Sequence, residues 1–157
     1  MSDDFDFDTK NLDALIKALK TNMKKVRVGI LGGKTMRNNG GGQGPTNATI
    51  GAAHEFGTDK MPQRSFLRMP ISENLQKELE SHGAFTEDAA KRVIKEASFV
   101  PWLERLMAVG LKIVSDAFDT GGFGKWPAWK TPGYKNNTGQ KLVDTQQLRN
   151  SITGDIR

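Results

Sequence analysis

The apolar positions of this chain change period several times, and each period predicts an element. Leu12, Leu15, Ile16, Leu19 and Met23 recur at helical spacing, behind Asp8 or Thr9 as the cap. Val26, Val28 and Ile30 alternate with Arg27 and Gly29, as in a half-buried strand. From Gly32 to Asn47 there is hardly an apolar side chain, so burial cannot offset the entropy of ordering, and a long flexible loop is expected over 32–47. The segment NATIGAAHEFGT reads as a short helix or turn-like stretch ending at Gly57. Ile71, Leu75 and Leu79 predict a helix that starts near Pro70, since proline fits only its first turn, and that ends at His82-Gly83. Thr86, followed by Glu87 and Asp88, caps a further helix bearing Val93, Ile94 and Ala97.

The strongest periodicity runs from Pro101 to Asp119, through Leu103, Leu106, Met107, Gly110, Ile113, Val114, Ala117 and Phe118, with Gly121-Gly122 as its stop. Gly110 on that apolar face either admits a close neighbour or is simply tolerated. A Trp/Pro/Gly/Lys loop over 120–141 follows, and then KLVDTQQLRNSIT. There Asp144 is placed as an N-cap with Gln147 three residues on, and Val143 and Leu148 are placed for a hydrophobic staple, so a helix is expected from Thr145. Leu142, Leu148 and Ile152 belong to its buried side, and Ile152 and Ile156 to a terminal strand. The fold class expected is α+β: a small, mainly antiparallel sheet with three to four helices packed on it. Residues 1–8 form an acidic tail expected to be disordered, and 9–157 form one domain.

Composition narrows this little. At 157 residues the chain suffices for one domain with a modest core. The absence of cysteine excludes disulfides and thiolate metal sites. A net charge of +5 suits acidic partners, nucleic acid among them, and equally a solvated lysine surface. The acidic start, MSDDFDFDTK, lacks the basic and apolar regions of a secretory signal. The apolar stretch from Trp102 to Phe118 is too short and too charged to span a bilayer. A soluble protein made in the cytoplasm, without a membrane partner, is the expectation.

Candidate chemistry is thin. VGILGGKT ends like a phosphate-binding loop, but Gly29 and Gly33 enclose three residues where four are needed, and MRNNGGGQGPTN does not read as the helix that should follow. His54-Glu55 lacks a second histidine at the zincin position, where Thr58 stands, and His82 has no matching carboxylates. A packed or hydrogen-bonded histidine is the better reading. No serine lies in an elbow motif. No catalytic residue, cofactor or metal is expected. Lys60, Arg64, Arg68, Lys125, Lys130, Lys135 and Lys141 with Trp126, Trp129 and Tyr134 could make a basic aromatic surface for single-stranded nucleic acid. Pro127 and Pro132 argue instead for a docked loop whose aromatics anchor it to the core.

Two segments resemble a known family. IGAAHEFGT with MPQRSFLR is similar to the first signature of the tail-completion and head–tail joining proteins of tailed bacteriophages, and WPAWKTPGYK with KLVDTQQLRNSIT is similar to the second. The resemblance touches about residues 48–72 and 126–153. Gln146 stands where the family usually has glycine, though glutamine suits the helix start expected there. Relatives often continue with further strands, so a short last strand, or one completed by a neighbour, is implied. The resemblance implies a non-enzymatic virion protein, located at the neck or head-proximal tail end. It would form a homo-oligomeric ring, a hexamer, between the tail tube protein and the head–tail connector or adaptor proteins, with genomic DNA in the lumen. Glu55, Phe56, Arg64, Phe66, Leu67 and Arg68 are then expected at or near a subunit or partner contact, with core packing as the alternative for Phe56 and Phe66. Val143, Asp144, Gln147, Leu148 and Ile152 are expected to cap and bury the last helix. A small basic nucleic-acid-binding protein is the alternative function.

Overall fold

The computed structural model describes residues 12, 13, 16, 17, 20, 24–32, 44–96, 98–127 and 146–157. Within these, the chain is α+β: β1 (Val26–Ile30), α1 (Asn47–Phe56), α2 (Arg68–Ser81), α3 (Glu87–Glu96), α4 (Val100–Thr120), α5 (Gln147–Asn150) and β2 (Ile152–Ile156). Of the first expected helix, Leu12, Asp13, Ile16, Lys17 and Lys20 are described and are helical. The acidic tail 1–8, residues 33–43 of the Gly-rich loop, and 128–145 lie outside the described residues. The loop boundary expected at Asn47 moves back, because Thr46 caps α1 by accepting from the Thr49 N–H at 3.1 Å.

β1 and β2 pair antiparallel, with Val26 opposite Ile156, Val28 opposite Gly154 and Ile30 opposite Ile152. Arg27 and Asp155, cross-strand partners, form a two-pronged ion pair with Nε 2.7 Å from Oδ1. Among the described residues the two strands pair only with each other, so each keeps one open edge.

α4 crosses this ribbon at close range. A Cβ on Gly110 would lie 3.2 Å from Val28 Cγ2, and one on Gly154 would lie 2.7 Å from Met107 Cγ. One glycine on the helix and one on the strand therefore set the spacing, and the close-approach reading of Gly110 is the correct one. α4 then feeds two apolar clusters. Val114, Ala117 and Phe118 meet Phe66, Trp126 and Leu148, with Val28, Ile30 and Ile152 packed against them. Val109 and Ile113 meet Leu79 and Ala84, with Leu75 and Leu106 alongside. Fully burying each large apolar side chain contributes about 1.5–3 kcal/mol, so α4 is the largest single source of stability.

α3 is held more lightly. Of its side chains only Val93 is buried. Thr86 Oγ1 accepts from the Ala89 N–H at 3.4 Å and donates to the Gly83 carbonyl at 2.9 Å, as its place before Glu87 led one to expect. No described helix is long and apolar enough to cross a membrane.

Candidate functional site

The segment from Glu55 to Met69 builds one internal device, and Glu55 is its centre. Glu55 is the penultimate residue of α1 and is 5% exposed. Its Oε2 accepts from the N–H groups of Phe66 and Leu67, each at 3.0 Å. Its Oε1 accepts from the Arg68 N–H at 3.0 Å and from Ser65 Oγ at 2.6 Å. Ser65 Oγ in turn accepts from the Met69 N–H at 3.0 Å.

Every backbone donor at the start of α2 is thereby satisfied. Arg68 has Glu55, Met69 has Ser65, Pro70 has no N–H to satisfy, and Ile71 begins the helical ladder on the Leu67 carbonyl at 3.1 Å. α2 has no side-chain cap of its own, because Leu67 occupies the cap position. A carboxylate borrowed from α1 replaces it, and its negative charge faces the positive end of the helix dipole.

The chain returns from α1 to that position through a tight loop. Gly57 ends α1 at φ 76°, and a Cβ there would sit 2.9 Å from the Gln63 nitrogen. Thr58 and Met61 form an isolated antiparallel bridge. The loop is then pinned to the end of α1 by Arg64 N–H on the His54 carbonyl at 2.8 Å and Gln63 Nε2 on the Glu55 carbonyl at 2.9 Å.

Trp126, Pro127 and α5 close on this segment. Trp126 is buried, and its Nε1–H donates to the Ser65 carbonyl at 2.9 Å. Its ring stands edge-on to Phe118, with centroids 5.8 Å apart, and Phe118 stacks at a tilt on Phe66 at 5.2 Å. Arg64 Nε donates to the Pro127 carbonyl at 3.2 Å. Leu148 of α5 packs against the same cluster and approaches Gly51 of α1. Arg149 then ties α5 to α4, with Nη1 2.7 Å from Asp119 Oδ1 and Nη2 2.8 Å from Ser115 Oγ.

Burial corrects half of the expected contact surface. Glu55, Arg64 at 1% exposure and Phe66 at 0% face the chain's own interior, so none of them presents its side chain at the surface. For Phe66 core packing is the right alternative. For Phe56, 67% exposed, it is not. Leu67 is half-buried and Arg68 is exposed, so Phe56, Leu67 and Arg68 remain as the surface candidates. They lie at adjacent helix ends because Glu55 holds the start of α2 against the end of α1.

Leu148 of the last helix is buried on the core as expected, while Ile152, half-buried against the same core, belongs to β2 and not to the helix. The start of that helix differs. α5 begins at Gln147, not Thr145, so Gln147 is its first residue and not the third after an Asp144 cap. Gln146 does not suit a helix start. It is held at φ 58°, the left-handed conformation that glycine adopts without strain. The glycine of the resembling family has its physical reason there. Val143 and Asp144 lie outside the described residues.

His54 is the titratable group most affected by this packing. Burial, helped by the nearby Arg64 charge, lowers its pKa to about 4, and its Nδ1 has no hydrogen-bond partner among the described residues. It is a packed histidine. Among the described residues no three histidine or acidic side chains gather to hold a metal. Trp126 is inside and Lys125 pairs with Glu73 at 2.6 Å, so neither offers a free stacking or phosphate-binding group, while Lys130, Lys135, Lys141, Trp129 and Tyr134 lie outside the described residues. The roles of Ser65, Gly57 and Gln63 were not foreseen. The signal was Pro70: a helix starting there with Leu67 as its cap residue must find its acceptors elsewhere.

Compared with known proteins, the chain matches no family model, no curated protein and no solved structure.

Proposed function

We propose that this chain is a structural protein of a tailed-phage virion, forming a ring at the head-proximal end of the tail that completes the tail and joins it to the head connector. The observation that carries the reading is the closure of two sequence-distant segments, both resembling signatures of one phage family, into a single unit around Glu55 and Trp126. That the two segments pack on one another supports reading the two resemblances together. Phe56 and Arg68 at the outer end of that unit, and the edges of the β1–β2 ribbon that no described strand pairs, are surfaces that a neighbouring copy would cover. The role is mechanical: subunit contacts, a lumen for DNA, and no chemical step.

Light scattering coupled to size-exclusion chromatography tests this. The expected species is a ring of six 17.3 kDa chains, about 104 kDa. Phe56→Glu, at an exposed position, is expected to abolish the ring and leave the melting temperature unchanged. A monomer at every concentration, with affinity for single-stranded DNA that falls steeply with salt, would overturn the reading in favour of a basic nucleic-acid-binding protein.

A further inference from the structure

Away from the signature segments, the first turns of α3 and α4 enclose a groove of about 110 Å³. Its walls are Val93, Pro101 and Trp102, and Arg92 and Arg105 stand over it with Asp88 as the one lining acid. Trp102 is held as a fixed wall, its Nε1–H donating to the Ala84 carbonyl at 3.2 Å. Arg105 is anchored on the Gly83 carbonyl at 3.2 Å. Among the described residues neither arginine has an acidic partner within ion-pair distance, whereas Lys91, Lys112, Lys125 and Arg149 all do. Two cations over an apolar floor fit an acidic peptide that carries an aromatic ring. The volume is on the order of that which holds a single benzene-sized group.

The chain carries such a peptide. Asp3-Asp4-Phe5-Asp6-Phe7-Asp8 alternates acids with phenylalanines. We infer that Asp3–Asp8 docks in cis on this groove, with one phenyl ring against Trp102 and Pro101 and the flanking carboxylates on Arg92 and Arg105. The reach is ample. β1 lies under α4 at Gly110, and Trp102 is roughly 12 Å along the axis from there at 1.5 Å per residue. With the described residues from Leu12 to Lys20 helical, the chain from Asp8 to Lys25 spans up to ~42 Å, still about three times that distance. Tethering supplies an effective concentration of about millimolar, enough for a contact of modest affinity.

The lack of cysteine makes the test clean. In the full chain, Phe5→Cys is combined with Ala89→Cys in the groove or with Lys77→Cys on exposed α2, and mild oxidant is added. The expected result is a monomeric disulfide with Ala89→Cys and little with Lys77→Cys. Arg92→Glu, a change at an exposed position, is expected to lower the yield by about fivefold, and adding Asp6→Lys to restore it. Equal yields at the two sites, indifference to Arg92→Glu, or a dimer-sized product would overturn docking in cis, the last assigning the groove to a neighbour's segment. Because the introduced cysteines could disturb α3, amide hydrogen exchange on the unmodified chain gives a second reading. Exchange of residues 3–8 should quicken in Arg92→Glu, and identical exchange in the two chains would contradict the inference.

Discussion

Replacing Glu55 by glutamine separates a folding role from a contact role, because the side chain keeps its shape and loses only its charge and half of its acceptors. The carboxylate accepts four hydrogen bonds, two on each oxygen. If the amide nitrogen takes the Oε2 position, it faces the N–H groups of both Phe66 and Leu67. If it takes the Oε1 position, it can donate to Ser65 Oγ, which then still accepts from Met69, but both the Arg68 N–H and the Ser65 hydroxyl proton lose the acceptor they share. The second arrangement is cheaper. It leaves one backbone donor unpaired, forces the Ser65 hydroxyl to turn to another acceptor, and turns two charge-assisted bonds into neutral ones, a loss of about 2–3 kcal/mol. For a chain of this size that lowers the melting temperature by about 5–10 °C. Glu55→Ala strips all four donors at once and should cost about 4 kcal/mol or more. Urea denaturation of wild type and both variants, followed by circular dichroism, measures this. A Glu55→Gln chain within about 0.5 kcal/mol of wild type that had lost its oligomer would refute the reasoning, because the carboxylate would then be a contact group and not a cap.

Other outcomes follow from the same packing. Gly122→Ala places a Cβ 2.2 Å from Trp126 Nε1 at a φ of 69°, so it should expel the indole and cost about 2–4 kcal/mol, visible as a red-shifted tryptophan emission and a lowered melting temperature. Gln146→Gly relieves the left-handed backbone at φ 58° and should stabilise by about 0.5–1 kcal/mol in a denaturant titration, whereas destabilisation would mean that the conformation carries no strain. His54 is neutral when folded, with its pKa lowered to about 4, and in the unfolded chain it titrates near the ordinary 6.5. The unfolded state therefore binds the extra proton between those values, so this contribution to stability is full above pH 6.5 and is lost as pH falls toward 4. After allowance for partial exposure the loss is about 1–2 kcal/mol, and His54→Gln should flatten that part of the pH–stability curve. Arg64→Glu, which a surface arginine would tolerate as a folded monomer, should instead impair folding, since the new carboxylate would be buried against the Pro127 carbonyl.

The helices were legible in proportion to how much of their burial is periodic. α4 declares itself because Leu103, Val109, Ile113, Val114, Ala117 and Phe118 all face the core and repeat at the helical interval. Pro70 marks the start of α2 because of its missing N–H, and Thr86 marks α3 by its hydroxyl. The ribbon was legible as two strands but not as a pair, for Val26 and Ile156 lie at opposite ends of the chain and their register depends on Gly154 fitting beneath Met107. Glu55 was misplaced for a different reason. Its partners are backbone N–H groups, which leave no trace in residue identity, so a buried cap and an exposed contact look alike on paper. The same holds for Arg64, whose aliphatic and charged ends suit a surface but whose Nε donates to the Pro127 carbonyl in a buried position. Gln146 shows the reverse: its left-handed backbone at φ 58° suits glycine, and the helix-start pattern at Asp144 drew attention away from it.

The most direct test of the proposed virion role is electron microscopy of the purified protein mixed with purified phage tail tubes. The account predicts a ring-shaped density seated on one end of each tube, lost with Phe56→Glu and kept with Lys77→Glu. Bare tube ends at saturating protein, or protein bound evenly along the tube wall, would contradict it.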